Sequence, residues 1–190
     1  MVGNFLEAPF GAGGLVTVFD FFIAAALLSL ERLTYAWVWR RPGEFRDLAE
    51  RFAFWATPID ALNALFWIFK IIQCAVFVAW CATSGSAAGG LHGGTATDAL
   101  GAILLIVGQV LNFGVFYRLG RTGVFYGNRL GHDIPWCHAF PFSVLKHPQY
   151  VGAVLSIWGF FLVARFPYDD WFVLPVLETV YYAAGAYVEQ

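Results

Sequence analysis

The run Asn63-Ala-Leu-Phe-Trp-Ile-Phe-Lys-Ile-Ile-Gln-Cys-Ala-Val-Phe-Val-Ala-Trp-Cys-Ala-Thr83 carries a single charged side chain, Lys70. A helix rises ~1.5 Å per residue and bilayer hydrocarbon is ~30 Å thick, so ~20 mainly apolar residues make a spanning segment. The stretch therefore predicts a transmembrane helix. Four further runs behave alike: Leu15 to Trp39, Asp98 to Leu119, Tyr150 to Arg165, and Trp171 to the end of the chain. The fourth is short and meets the fifth through Phe166-Pro167-Tyr168-Asp169-Asp170, where proline ends a helix and two acids suit a solvated turn. The expectation is an all-α integral membrane protein with about five transmembrane helices, the last two a helical hairpin.

Composition agrees. Only 13% of the 190 residues are charged while 59% are hydrophobic and 19% aromatic, against about 25% charged in soluble domains. Eleven basic against thirteen acidic residues leave a net charge of -2, without the basic excess of a nucleic-acid binder. Cys74, Cys81 and Cys137 form no CxxC pair, so neither a disulfide framework nor a zinc site is read from them. The first basic residue, Arg32, comes late in the first apolar run, so that run is expected to stay as a span instead of being cleaved as a leader. The 190 residues read as one membrane-embedded domain. Ser84 to Thr97, with five glycines and no basic residue, reads as a flexible loop dividing it.

Basic residues set the orientation. Arg40, Arg41, Arg46 and Arg51 lie in the first connection and Arg118, Arg121, Arg129 and Lys146 in the third, whereas the second has none. These two connections are expected to be cytoplasmic, with the N-terminus outside and the C-terminus inside. In the first, Phe45, Leu48 and Phe52 fall on one helical face and the Asp47/Arg51 and Arg46/Glu50 pairs on the other, which reads as a short helix lying in the interface.

The third connection, Arg118 to Gln149, is the longest polar stretch, and a connection of that length is usually either functional or disordered. If the third spanning helix continues beyond the membrane edge, Gly123, Gly127 and Gly131 form a stripe without side chains. Such a stripe admits a neighbouring helix or a flat ligand. His132, Asp133, Cys137 and His138 match no metal-ligand spacing, and no metal site is expected. Lys70 and Glu178 lie deep in apolar runs and need partners or a polar cavity, while Glu31-Arg32 reads as a pair near a helix end. In the last run Glu178, Tyr182, Gly185 and Glu189 share one helical stripe, which brings Glu189 to the membrane level where Lys146-His147-Pro148-Gln149-Tyr150 opens the fourth helix.

Two segments carry a family resemblance: Leu119-Gly-Arg-Thr-Gly-Val-Phe-Tyr-Gly127 and Phe140-Pro-Phe-Ser-Val-Leu-Lys-His-Pro-Gln-Tyr-Val-Gly152. From Gly108 onward the chain resembles the phospholipid methyltransferases, which methylate phosphatidylethanolamine and its partly methylated forms. The Lys-His-Pro-Gln-Tyr-Val-Gly piece alone is also similar to isoprenylcysteine carboxyl methyltransferases and membrane sterol reductases. The resemblance implies that residues 98–190 form a methyltransferase-like catalytic part behind the N-terminal and interfacial helices of 1–97. It also implies an S-adenosylmethionine site on Gly120, Gly123, Gly127, His147, Pro148, Tyr150, Gly152 and Glu189, with His147 and Glu189 as catalytic candidates. The family commonly closes its last helix with two adjacent acids, where this chain has Glu189-Gln190. The substrate expected is a phospholipid amine, reached from the cytoplasmic face of a bacterial inner membrane or the endoplasmic reticulum. A prenylcysteine carboxylate or thiol acceptor, and a non-catalytic membrane protein on the same scaffold, are the alternatives.

Methyl transfer to an amine also fits the residues chemically. An alkylammonium of pKa ~10 must lose a proton before it can attack, and burial beside a sulfonium promotes that loss. Aromatics such as Tyr126, Trp136, Tyr150, Tyr181 and Tyr182 can hold methylated cations by their faces.

Overall fold

The computed structural model describes residues 18–52, 55–82 and 94–189. Every regular element among them is helical: α1 Val18–Arg40, α2 Pro42–Arg51, α3 Pro58–Ala82, α4 Thr95–Val124, α5 Pro148–Ala164 and α6 Val173–Val188. Three of these, α1, α3 and α4, are long and apolar enough to cross a membrane. At ~1.5 Å per residue the 17 residues of α5 and 16 of α6 reach roughly 25 Å, short of the ~30 Å hydrocarbon thickness. The glycine-rich stretch Ser84 to Thr97 falls mostly outside the described residues, and Thr95 already opens α4.

The spanning helices turn a narrow face inward and leave the rest apolar. In α1 the buried positions are Ala24, Leu28, Glu31, Tyr35 and Val38, a helical stripe, while Phe19, Phe22 and Leu33 are exposed as hydrocarbon-facing side chains are. In α3, Thr57 caps the first turn by accepting from the Asp60 amide at 3.1 Å and donating to its carboxylate at 2.8 Å. Asp60 also pairs with Arg121, tying the start of α3 to the end of α4.

Helices α4 and α5 run antiparallel with their backbones in close approach. A Cβ on Gly152 would lie 2.7 Å from the Gly108 carbonyl oxygen, and one on Gly159 would lie 2.6 Å from that of Gly101. Two pairs of glycines seven residues apart therefore form the small-residue contact that membrane helices use for close packing. Gln109 donates to Ser156 Oγ at 3.0 Å across the same seam.

Four expectations change. The stripe Gly123, Gly127, Gly131 does not exist as a helical face, because Gly120 (φ 61°, ψ -177°) breaks α4 and the helix ends at Val124. Gly131 is left-handed (φ 91°) in the following turns. In α2 the apolar residues divide: Phe45 and Ala49 are buried in the protein, with Phe45 edge-on to Trp37 at 5.8 Å, whereas Leu48 and Phe52 face outward. Arg41 and Trp37 both bond Glu44 of this helix.

The α5–α6 turn is not simply solvated. Arg165, 1% exposed, grips Asp170 by Nε–Oδ1 at 2.8 Å and Nη2–Oδ2 at 2.6 Å. Its Nη1 also reaches the Cys81 carbonyl at the end of α3. Forked pairing of this kind satisfies both charges and makes the turn a structural joint. Finally, Glu31 and Arg32 lie well inside α1, and Glu31 is buried.

Candidate active site

A cavity of about 660 Å³ opens where α1, α3, the end of α4, the start of α5 and the end of α6 converge, within the ~300–1,000 Å³ usual for small-molecule sites. At one end stands the carboxylate of Glu189, which closes α6. The phenols of Tyr126 and Tyr150 both donate to its Oε1. Tyr150 arrives from the first turn of α5, and Tyr126 from the turn after α4, where it holds φ 53°. A left-handed non-glycine residue is uncommon and costs energy. Here the conformation delivers the hydroxyl to the carboxylate. Tyr126 is wedged edge-on against Tyr35 at 5.8 Å and Trp39 at 5.4 Å. Burial pushes its phenol well above the ordinary range, and Tyr150 and Glu189 add to the shift, so Tyr126 remains a proton donor to Glu189.

His147 is the residue before α5, its ring 13° from the plane of Tyr150 with centroids 6.0 Å apart. Among the described residues, its Nε2 is buried without a protein partner, as is the hydroxyl of Tyr35. Both residues line the cavity. A buried polar atom without a partner carries a desolvation cost that a ligand bond would remove.

Deeper, a chain of polar contacts joins three helices. Glu31 accepts from Arg32 Nη2 at 2.5 Å and from Lys70 Nζ at 3.0 Å; Lys70 also bonds Gln73 Oε1 at 3.0 Å, and Gln73 Nε2 donates to Glu178 at 2.7 Å. The Arg32 guanidinium lies over the ring of Tyr182 at 4.2 Å. Lys70 and Glu178 thus have the partners their depth requires.

The structure brings Gly123, His147, Pro148, Tyr150 and Glu189 to the cavity wall. Gly120, Gly127 and Gly152 are not on it: Gly120 kinks α4, Gly127 sits in the turn under the Thr122 carbonyl, and Gly152 is packed on Gly108. Of the aromatic candidates, Tyr126, Tyr150 and Tyr182 line the cavity, Trp136 is 92% exposed, and Tyr181 donates to the Ala25 carbonyl. Sequence reasoning gave Arg32 only a pairing with Glu31 near a helix end, and Tyr35 no role. Their only signal was an Arg and a Tyr at i,i+3 in an apolar run.

This is a helical membrane protein with a carboxylate, a histidine and a tyrosine gathered at one end of an interior cavity. The phospholipid methyltransferase profile matches residues 96–190, half of the chain, and the chain belongs to that family. It is 50% identical over 54 residues to a phosphatidyl-N-methylethanolamine N-methyltransferase of Arabidopsis thaliana, a match covering 28% of this chain and 33% of the relative. It is 39% identical over 61 residues to the protein of the same name from Saccharomyces cerevisiae, covering 32% and 30%. The chain thus matches about a third of the length of these relatives. No solved structure matches it significantly.

Proposed function

We propose that the protein is an S-adenosylmethionine-dependent membrane methyltransferase that N-methylates the amine headgroup of phosphatidylethanolamine or its partly methylated derivatives. The observation that carries this reading is the Glu189 carboxylate, held by two phenols beside His147, all four residues coming from the family-matched half and lining one cavity. S-adenosylmethionine, when bound, supplies a methyl group on a positive sulfonium.

The residues present fit such a group. Glu189, with lone pairs left after accepting from two phenols, is placed to bind an ammonium by a charge-assisted bond. The unpartnered His147 Nε2 is placed to meet the carboxylate of the same amino-acid moiety. Alternatively it takes the proton that the lipid amine must lose, a role open to Glu189 as well. Pro148 fixes the first turn of α5 so that Tyr150 faces this point. Gly123 lies on the wall, where a Cβ would meet Leu119 at 2.7 Å, while Gly120 and Gly127 shape the turns that deliver Tyr126. Residues 98–190 serve as the catalytic part, with 1–97 completing the cavity. In the bilayer, α1, α3, α4 and the α5–α6 hairpin make five spans, with the cavity mouth toward the cytoplasm of a bacterial inner membrane or endoplasmic reticulum. There cytosolic methyl donor is available.

The test is direct. Purified protein given methyl-labelled S-adenosylmethionine and total lipid should move label into mono-, di- or trimethylated phosphatidylethanolamine. Label found only in a prenylcysteine ester or a thioether would replace the acceptor, and no label in any fraction would leave a non-catalytic membrane protein.

A further inference from the structure

The cavity has three cations on its wall, Arg32, Lys70 and Lys146. Arg32 and Lys70 are both held by Glu31, whereas Lys146, among the described residues, makes no ion pair. It is exposed and stands two residues before α5, next to His147. If α5 spans, that is the level of the bilayer boundary, where a lipid's phosphodiester lies while its headgroup amine reaches inward.

The cavity also communicates with the lipid-facing surface. Trp67 of α3 and Phe113 of α4 line it and are nonetheless 60% and 71% exposed. The α4–α5 seam, by contrast, is closed by the glycine contacts. An amphiphile can therefore keep its chains against α3 and α4 with its headgroup inside.

From this we infer that Lys146 binds the phosphodiester of the lipid at the cavity mouth, and so selects an amine carried on a phosphate over a bare amine. The inference rests on the methyltransferase reading for its substrate class. The anion and the two-carbon amine arm are matched to a cation at the mouth and a carboxylate, histidine and tyrosine behind it. The positive end of the α5 dipole, adjacent to Lys146, adds to the same attraction.

Equilibrium binding to the full chain in neutral detergent tests it without any methyl transfer. The probes are dioctanoyl phosphatidylethanolamine, an alkyl 2-aminoethyl ether of similar chain length that lacks phosphate, and inorganic phosphate as competitor. The parent should prefer the phospholipid by roughly ten- to a hundredfold, as expected for one charge-assisted bond. Lys146→Met should reduce that preference to near unity by weakening the phospholipid alone, and Lys146→Arg should restore most of it. Lys146 is exposed and, among the described residues, makes no ion pair, so neither change removes a buried contact.

A parent without preference, or a Lys146→Met variant with the preference intact, overturns the inference, as does equal weakening of both amphiphiles. Displacement of phospholipid by equimolar inorganic phosphate would make this a free-anion site and overturn the lipid assignment. If the Lys146-dependent preference holds but no methyl moves in the transfer assay, the subsite stands and the methyltransferase reading falls. If methyl moves and the preference ignores Lys146, the opposite follows.

Discussion

Glu189 is the residue on which the candidate site turns. Its carboxylate accepts from Tyr126 and Tyr150, so its position is fixed before any ligand arrives, and a charge already oriented costs less to use than one that must be ordered. Glu189→Gln keeps the shape and removes the charge, and should weaken S-adenosylmethionine binding roughly ten- to a hundredfold in calorimetric titration. Unchanged affinity would move the acidic partner elsewhere, with Glu31 next, since it lines the cavity whereas Glu178, next on the same stripe, is buried against Gln73. Tyr126→Phe, which loses one of the two phenols, should cost about half as much in free energy, and affinity equal to the parent would separate the left-handed turn from the site. Glu189, His147 and Tyr150 were legible in the sequence because helical spacing and the opening of α5 place them at one level. Tyr126 could be listed there only among other aromatics, since its role depends on a φ of 53° that no periodicity records. Glu31 was misjudged as a helix-end residue. Its partner Lys70 lies on another helix, 39 residues away, and such contacts between helices leave no trace in local spacing.

At the scale of the element, the α4–α5 pair is the frame on which the cavity is built. The contacts of Gly101 with Gly159 and of Gly108 with Gly152 set how far His147 and Tyr150 stand from the end of α4. Gly159→Leu would force a branched side chain against the Gly101 carbonyl and Leu105. Overpacking of this kind typically costs about 1–3 kcal/mol or more. The expected outcome is a clear drop in thermal midpoint in detergent, while Gly43→Ala, whose Cβ meets nothing within 4 Å, should leave the midpoint unmoved. Equal midpoints for the two variants would show that the seam tolerates separation. From the sequence, small-residue packing was one of two readings, beside a ligand face, and was placed at Gly123, Gly127 and Gly131. The actual contact uses seven-residue spacings on two antiparallel helices, visible only once both are aligned. The α5–α6 turn teaches the same point about charge: Asp170 reads as solvated from its neighbours, yet Arg165 five residues earlier folds back to bury it. Asp170→Asn leaves a buried guanidinium without its counter-ion and should destabilise by about 3–5 kcal/mol, read as the largest midpoint loss in the set.

For the whole molecule, the run of apolar segments was readable because bilayer thickness imposes one length on every span, and α1, α3 and α4 meet it. The shorter α5 and α6 fall below it singly, and the proposed five-span arrangement joins them as a hairpin whose turn carries an internally neutralised ion pair. That pairing sharpens the topology argument. Arg165 is buried against Asp170, so it contributes no free cation to its connection, and apart from Arg32 and Lys70, which Glu31 holds, the basic residues lie at the end of α1, in α2, at the end of α4 and in the connection to α5. In the proposed orientation positive charge of this kind stays on the cytoplasmic side, and the cavity mouth, with Lys146 and Glu189, would lie on that side too. The check uses a chain with Cys74, Cys81 and Cys137 replaced by alanine, so that no native thiol competes. Single cysteines are then introduced at Ala96, exposed at the start of α4, and at Asp133, exposed in the connection after it. In sealed vesicles of known orientation an impermeant thiol reagent should label Ala96→Cys from the outside only and Asp133→Cys only after the cytoplasmic face is opened. Labelling of both from one side would mean that α4 does not cross the membrane, and the five-span arrangement would fall. Opposite labelling in the reverse sense would keep the spans but put the cavity mouth on the side without cytosolic methyl donor, and the proposed reaction would then lose its cofactor supply.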